Sequence, residues 1–196
     1  MDTELVATLT EAEVTRRRFT VTELLHLSKI GFLGNDERVE LIRGEIVEMS
    51  PINVAHASTV SRLVSLLFRS FGDRVILSVQ NPVQLDDETL LQPDIAVLKP
   101  QDDYYSRRHP DPEAVLLLIE VSDTTLLYDR RVKRKLYGAA GIIEYWIVDL
   151  PNRRIEVYTK PRQDGYRIVT QYAPGETISP LAFPDVALNV DEVLGK

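Results

Sequence analysis

The chain has 196 residues, 44% hydrophobic and 27% charged, the proportions of a globular domain that can bury a core without covalent staples. It contains no cysteine, which excludes disulfides, thiolate zinc sites and a cysteine nucleophile together and fits a reducing compartment. A formal charge of -7 argues against coating nucleic acid by bulk electrostatics. No apolar stretch nears the roughly 18 residues of a membrane span, and Met1-Asp2-Thr3-Glu4 lacks a signal peptide's basic start, so a cytoplasmic protein without a membrane partner is expected.

Residues 1–17 are polar without a clear period and are expected to form a loose arm ahead of one domain over residues 18–196. Thr20-Val21-Thr22-Glu23 has the Ser/Thr-x-x-Glu pattern of a capping box, so a helix should follow through Leu24, Leu25 and Leu27 and stop at Gly31. Arg38–Ile42 and Glu45–Met49 flank Arg43-Gly44 and read as a tight hairpin. A second helix is expected from about 53 to 71, with Val60, Leu63, Val64, Leu67 and Phe71 on one face and Gly72 at its end. Strands are expected near 74–79, 82–86 and 92–98, then a proline-punctuated loop over 99–113, of a length usually reserved for function or mobility.

Val115–Ser122 reads as a strand buried on both faces. A third helix from about 128 to 140 should bury Val132, Leu136 and Ala139 or Ala140. Glu144–Asp149 is a further strand, and Arg154–Tyr158 and Tyr166–Tyr172 follow, with turns at Pro151-Asn152 and Gln163-Asp164-Gly165. Trp146 and Tyr145 read as core packing. Hairpins combined with a strand-helix-strand unit give an α/β fold, a mixed sheet flanked by helices.

Two of these apolar strands each carry a carboxylate. Asp94 follows Pro93 at the start of one, and Glu120 sits late in the next. An ionised acid in such surroundings costs several kcal/mol or more unless compensated, and one divalent cation between the two would satisfy both, since Mg²⁺ commonly takes one or two carboxylates plus waters. On the third helix Asp129, Lys133 and Tyr137 recur at four-residue spacing, a stripe expected beside the apolar face. The run Arg130-Arg131-Val132-Lys133-Arg134-Lys135 concentrates positive charge, and Arg130, Arg131, Arg134 and Lys135 are candidate phosphate contacts, or else solvated surface.

On these residues the chain resembles the PD-(D/E)XK nuclease superfamily, and within it the Uma-two-type family of restriction-endonuclease-like proteins. The likeness is carried by Arg38-Val39-Glu40-Leu41-Ile42-Arg43-Gly44-Glu45, His56, Gln80-Asn81-Pro82, Pro93-Asp94-Ile95-Ala96-Val97 and Ile119-Glu120-Val121-Ser122. It continues through Asp129-x3-Lys133-x3-Tyr137-x3-Gly141 and Glu144–Asp149, and spans roughly residues 18–194. It implies a restriction-endonuclease-like fold, a Mg²⁺ or Mn²⁺ site on Asp94 and Glu120, Glu40 as a further acid, and DNA as substrate, with a homodimer as the assembly. The superfamily lysine would stand two residues after the second acid, where this chain has Ser122; Lys133 on the following helix is the match. His56, Gln80, Ser122, Asp129 and Tyr137 are auxiliary candidates. The rival is a non-catalytic nucleic-acid or protein interaction module on the same fold, and a third reading is a small-molecule phosphoesterase.

Overall fold

The computed structural model describes residues 17–34 and 38–195. The arm expected over residues 1–17 lies outside the described residues except for Arg17, whose guanidinium pairs with Glu23. Helix α1 (Val21–Lys29) starts where the sequence places it: Thr20 Oγ1 accepts from the Glu23 amide at 3.2 Å, and Glu23 returns a carboxylate to the Thr20 amide at 2.9 Å. Burial is confined to Val21 and Leu24, which meet Leu41 and Leu90 in a small core of their own.

Strands β1 (Val39–Ile42) and β2 (Glu45–Glu48) are joined by Arg43-Gly44, with φ of 50° and 80°. Two left-handed residues give the turn whose twist matches that of the strands. A Cβ on Gly44 would lie 2.4 Å from that of Arg18, so the segment leading into α1 requires glycine there. A three-residue strand absent from the sequence reading, β5 (Thr89–Leu91), pairs with β1 at Leu41↔Leu90 and with β4 (Val83–Asp86). The result is an antiparallel sheet ordered β2-β1-β5-β4.

The larger sheet has the order β10-β9-β8-β7-β6-β3. Its members are β3 (Ile76–Val79), β6 (Ile95–Leu98), β7 (Val115–Ser122), β8 (Glu144–Asp149), β9 (Arg154–Arg162) and β10 (Gly165–Tyr172). Only β7 and β8 run parallel, because the crossover between them is a helix; the other pairs are antiparallel. Side-chain alternation divides the sheet into two cores. Ile95, Val97, Ile119, Val121, Trp146 and Val148 face α2 (Val54–Phe71), which buries Val60, Leu63, Leu67 and Phe71 against them. Full burial of Leu63 or Leu67 is worth roughly 1.5–3 kcal/mol each.

Ala96, Leu98, Leu118, Tyr145 and Ile147 face the other way, toward α3 (residues 126–139). This helix is not uniform: Leu126–Tyr128 and Arg134–Ala139 are α-helical, and the turn between them, Asp129–Lys133, is a π-helix. Such widened turns occur mostly as single insertions in α-helices, frequently at functional sites. Gly138 lets α3 rest on the β9–β10 hairpin, since a Cβ there would fall 2.0 Å from the Gly165 carbonyl oxygen. A two-residue ladder, β11 (Thr177–Ile178) with β12 (Leu188–Asn189), and helix α4 (Val190–Leu194) close the α2 side. Elements this short leave no period in the sequence. No helix among the described residues is long and apolar enough to cross a membrane.

Candidate active site

The register Ile95↔Ile119 between β6 and β7 puts Asp94, one residue before β6 begins, opposite Glu120. Both belong to the α3 face by strand parity. Asp94 is fixed on three sides: its Oδ2 accepts from the Val121 amide at 2.8 Å and meets His56 Nε2 at 2.9 Å, and Gln80 Nε2 donates to Oδ1 at 3.3 Å. His56 arrives from the first turn of α2, whose N-cap Asn53 also donates to Asp123 at 2.7 Å just beyond β7. Gln80 follows β3 with a left-handed φ of 51°, a conformation that costs a non-glycine residue of order 1–3 kcal/mol and clusters at functional sites.

Glu120 Oε1 accepts from Lys133 Nζ at 2.9 Å and from the Tyr137 hydroxyl at 2.8 Å. The same ammonium lies 3.0 Å from Oε1 of Glu40, which strand β1 brings in from the smaller sheet. The Gln92 amide also donates to that oxygen at 2.9 Å, and the Gln92 side chain donates to the Gln80 carbonyl. A chain of contacts therefore links Glu40, Gln92, Gln80 and Asp94. Behind it, the hydroxyls of Ser122 and Thr125 both donate to Asp129 Oδ2, at 2.7 and 2.8 Å. Ser122, standing where the superfamily has its lysine, thus serves to hold the start of α3.

Glu40, Asp94, Glu120, Asp129 and Lys133 are all buried, and with His56 they border one cavity of about 340 Å³. The stripe of Asp129, Lys133 and Tyr137 was expected beside the apolar face and instead lies buried on it, at 2, 4 and 0% exposure. The π turn moves the register by one residue, so three groups aim into the sheet where a plain α-helix would turn some aside.

Acids outnumber bases here: four buried carboxyl groups, Glu40, Asp94, Glu120 and Asp129, surround the single Lys133 ammonium. Burial drives the Glu120 carboxyl well above its ordinary pKa; Lys133 opposes this, and Asp94, Asp129 and Glu40 reinforce it. Burial raises Asp129 as well, against Lys133 and its two hydroxyl donors. Asp94 goes the other way. Burial pushes its pKa up, and the His56 contact, the Val121 amide and Lys133 more than reverse it. Burial disfavours the Lys133 ammonium, but Glu120, Glu40 and Asp129 hold its pKa well above the ordinary lysine value.

The basic run divides. Arg130 turns inward, its fork bonded to Glu156 at 2.6 and 3.0 Å and to Asp149 at 2.7 Å, so its donors are committed to the sheet. Arg134 lies over the Tyr158 ring and against Gly165. Arg131 and Lys135 are exposed, and none of the four borders the cavity. Sequence reasoning missed Gln92 and Tyr128. Gln92 adjoins Pro93-Asp94, and that adjacency was its one signal. Tyr128 borders the cavity with a shielded hydroxyl that has no hydrogen-bond partner among the described residues.

No curated protein matches the chain. Among solved structures, that of a "putative nuclease belonging to DUF820" from Anabaena variabilis ATCC 29413 matches with a TM-score of 0.69 at 16% identity, over 90% of this chain and 97% of that one. The likeness establishes a shared restriction-endonuclease-like α/β fold. The sequence profile of the Uma2 family, described as "Putative restriction endonuclease", matches residues 21–191. That span takes in nearly the whole chain, and the protein belongs to the Uma2 family.

Proposed function

We propose that the protein is a metal-dependent endonuclease that hydrolyses DNA phosphodiester bonds, with Mg²⁺ or Mn²⁺ held by Asp94 and Glu120. The observation that carries this reading is the convergence of four buried acids on one cavity with a single lysine among them. Clustered acids in a low-dielectric site disfavour one another's ionised forms, and a divalent cation would offset that repulsion.

The donor set fits such an ion. Among the described residues no three His, Cys, Asp or Glu side chains stand in ligating geometry, so no all-protein cage is built. Mg²⁺ does not need one: it is commonly held by one or two carboxylates, waters and substrate phosphate oxygens. Glu120 Oε2 accepts no hydrogen bond from the described residues, and the fixed orientation of Asp94 sets its Oδ1 apart from the two donors on Oδ2. When bound, the cation supplies Lewis acidity toward phosphoryl oxygens and a water that ionises nearer neutral pH.

The remaining work falls to the chain itself. Hydrolysis joins a water oxygen to phosphorus and breaks one P–O ester bond, leaving a phosphate monoester and a hydroxyl. Lys133, raised in pKa by Glu120, Glu40 and Asp129, keeps its proton and acts as a fixed positive charge. Two of its three donors are spent on Glu40 and Glu120, and the third is left for an incoming oxygen. Tyr137 holds Glu120, and His56 holds Asp94.

Calorimetric titration tests the assignment. Mg²⁺ or Mn²⁺ should bind the wild type with measurable heat, and Asp94→Asn should weaken that binding at least about tenfold, since a charged ligand is lost. Equal affinity in both proteins would remove Asp94 from the metal site.

A further inference from the structure

The reactive groups sit deep: Glu40, Asp94, Glu120 and Lys133 are each no more than 7% exposed, behind a cavity of about 340 Å³. That volume is at the small end for a ligand site and suits a single nucleotide. The wall chemistry does not suit a duplex. The cavity borders Glu40, Glu48, Asp94, Glu120, Asp123 and Asp129, and its lysine and arginine side chains are Arg38 and Lys133 alone. Of these, Lys133 is already shared between Glu40 and Glu120. Duplex-binding surfaces carry lysine and arginine along the phosphate track, because neutralising many phosphates at once supplies most of the affinity.

One stretch of the cavity wall is uncharged. Residues 49–53, Met49-Ser50-Pro51-Ile52-Asn53, line it without an ionisable side chain, and Ile52 is 41% exposed. Asp123, Thr124 and Tyr128 also border the cavity. Tyr128 brings an aromatic ring and a hydroxyl without a partner among the described residues, the kind of buried donor that a ligand oxygen satisfies. Apolar and aromatic groups lining the cavity match the face of a base that has left its stack, and such stacking is tolerant of sequence.

We propose that the cavity takes one unstacked nucleotide of a single-stranded or unpaired DNA segment in preference to a duplex, with its base against Ile52, Met49 and Tyr128 and its phosphate toward Asp94 and Glu120. The inference rests on the nuclease reading and names its substrate class.

Fluorescence anisotropy separates the two. A labelled single strand and a hairpin-closed duplex of the same sequence are bound to the full chain with Ca²⁺ in place of Mg²⁺, and cleavage of both is followed separately in Mg²⁺. The single strand should bind about tenfold or more tighter, and Tyr128→Ala should weaken it by roughly tenfold while leaving the duplex unchanged. Ile52→Lys, on an exposed position that tolerates the change, should narrow the preference by strengthening duplex binding. Equal or tighter binding and cleavage of the duplex would overturn the single-strand proposal and leave the nuclease reading standing. A single-strand preference in binding with no cleavage of either DNA would support the proposal and remove the nuclease reading.

Discussion

Lys133 Nζ lies 2.9 Å from Oε1 of Glu120, and both side chains are 5% exposed. Thirteen residues and a change of element separate them, so the contact exists only when α3 is docked on β7. Removing one partner of such a pair leaves a buried charge without its counterion, which typically costs about 3–5 kcal/mol. Lys133→Met should therefore lose stability in this range in metal-free protein, and adding Glu120→Gln should recover part of it. Urea denaturation of both singles and the double measures the coupling. Strictly additive losses would show that the two charges do not interact.

The exposed members of the basic run can be separated from the inward one. Arg131→Ala with Lys135→Ala should weaken DNA binding alike for all sequences and flatten its salt dependence by at most about two units of slope, with the fold intact. Arg130→Ala should instead lower the melting temperature, since it removes the nearest cationic partner of both Asp149 and Glu156 and leaves them to share Arg154. Unchanged DNA affinity at low salt in the double variant would make Arg131 and Lys135 plain solvated surface.

Asp94 and Glu120 were legible because buried strands expose their exceptions, whereas Glu40 and Lys133 came from the family resemblance. An acid at the mouth of the Ile95–Leu98 strand facing another within Val115–Ser122 has few innocent explanations, and strand parity then aims both toward one helix. The capping box at Thr20 and the Arg43-Gly44 turn were legible because each is a local hydrogen-bond or dihedral requirement. What sequence reasoning missed depends on non-local partners. Strand β5 is three residues long and exists by pairing with β1 and β4. The π turn is imposed where Asp129, Lys133 and Tyr137 must all reach the sheet, and Arg130 looks like its basic neighbours until Asp149 and Glu156 meet it.

Glu156 supplies a pH test away from the cavity. Burial raises its carboxyl pKa, but Arg130, the Tyr158 hydroxyl and Arg154 more than reverse this, so the folded value lies below the ordinary 4.5. A depressed folded pKa contributes stability that is present above the unfolded value and is lost as pH falls through the folded one. Glu156→Gln should cost about 1.5–3 kcal/mol at neutral pH, the worth of charged hydrogen bonds, with the gap to wild type closing below about pH 4. Denaturation curves at several pH values check this, and a constant gap would mean that the ion pair contributes nothing.

Gly138 tests the docking that presents Lys133. Alanine favours helix by about 1 kcal/mol over glycine, so propensity alone predicts stabilisation. The Gly165 backbone 2.0 Å from the new Cβ cannot yield as a side chain would, and Gly138→Ala should lose at least about 1–3 kcal/mol. A gain in melting temperature would show that α3 does not rest on the β9–β10 hairpin as described.

Cleavage of DNA, with plasmid and single-stranded circular DNA offered side by side, is the most direct test of the account. The wild type should cut in Mg²⁺ or Mn²⁺ and not in chelator, and Asp94→Asn should fall by about a hundredfold or more, the scale of losing one transition-state stabilising group, while remaining folded. Cleavage that persists in chelator, or that Asp94→Asn leaves at the wild-type rate, would contradict the assignment of Asp94 and Glu120 as the metal-holding centre of a nuclease.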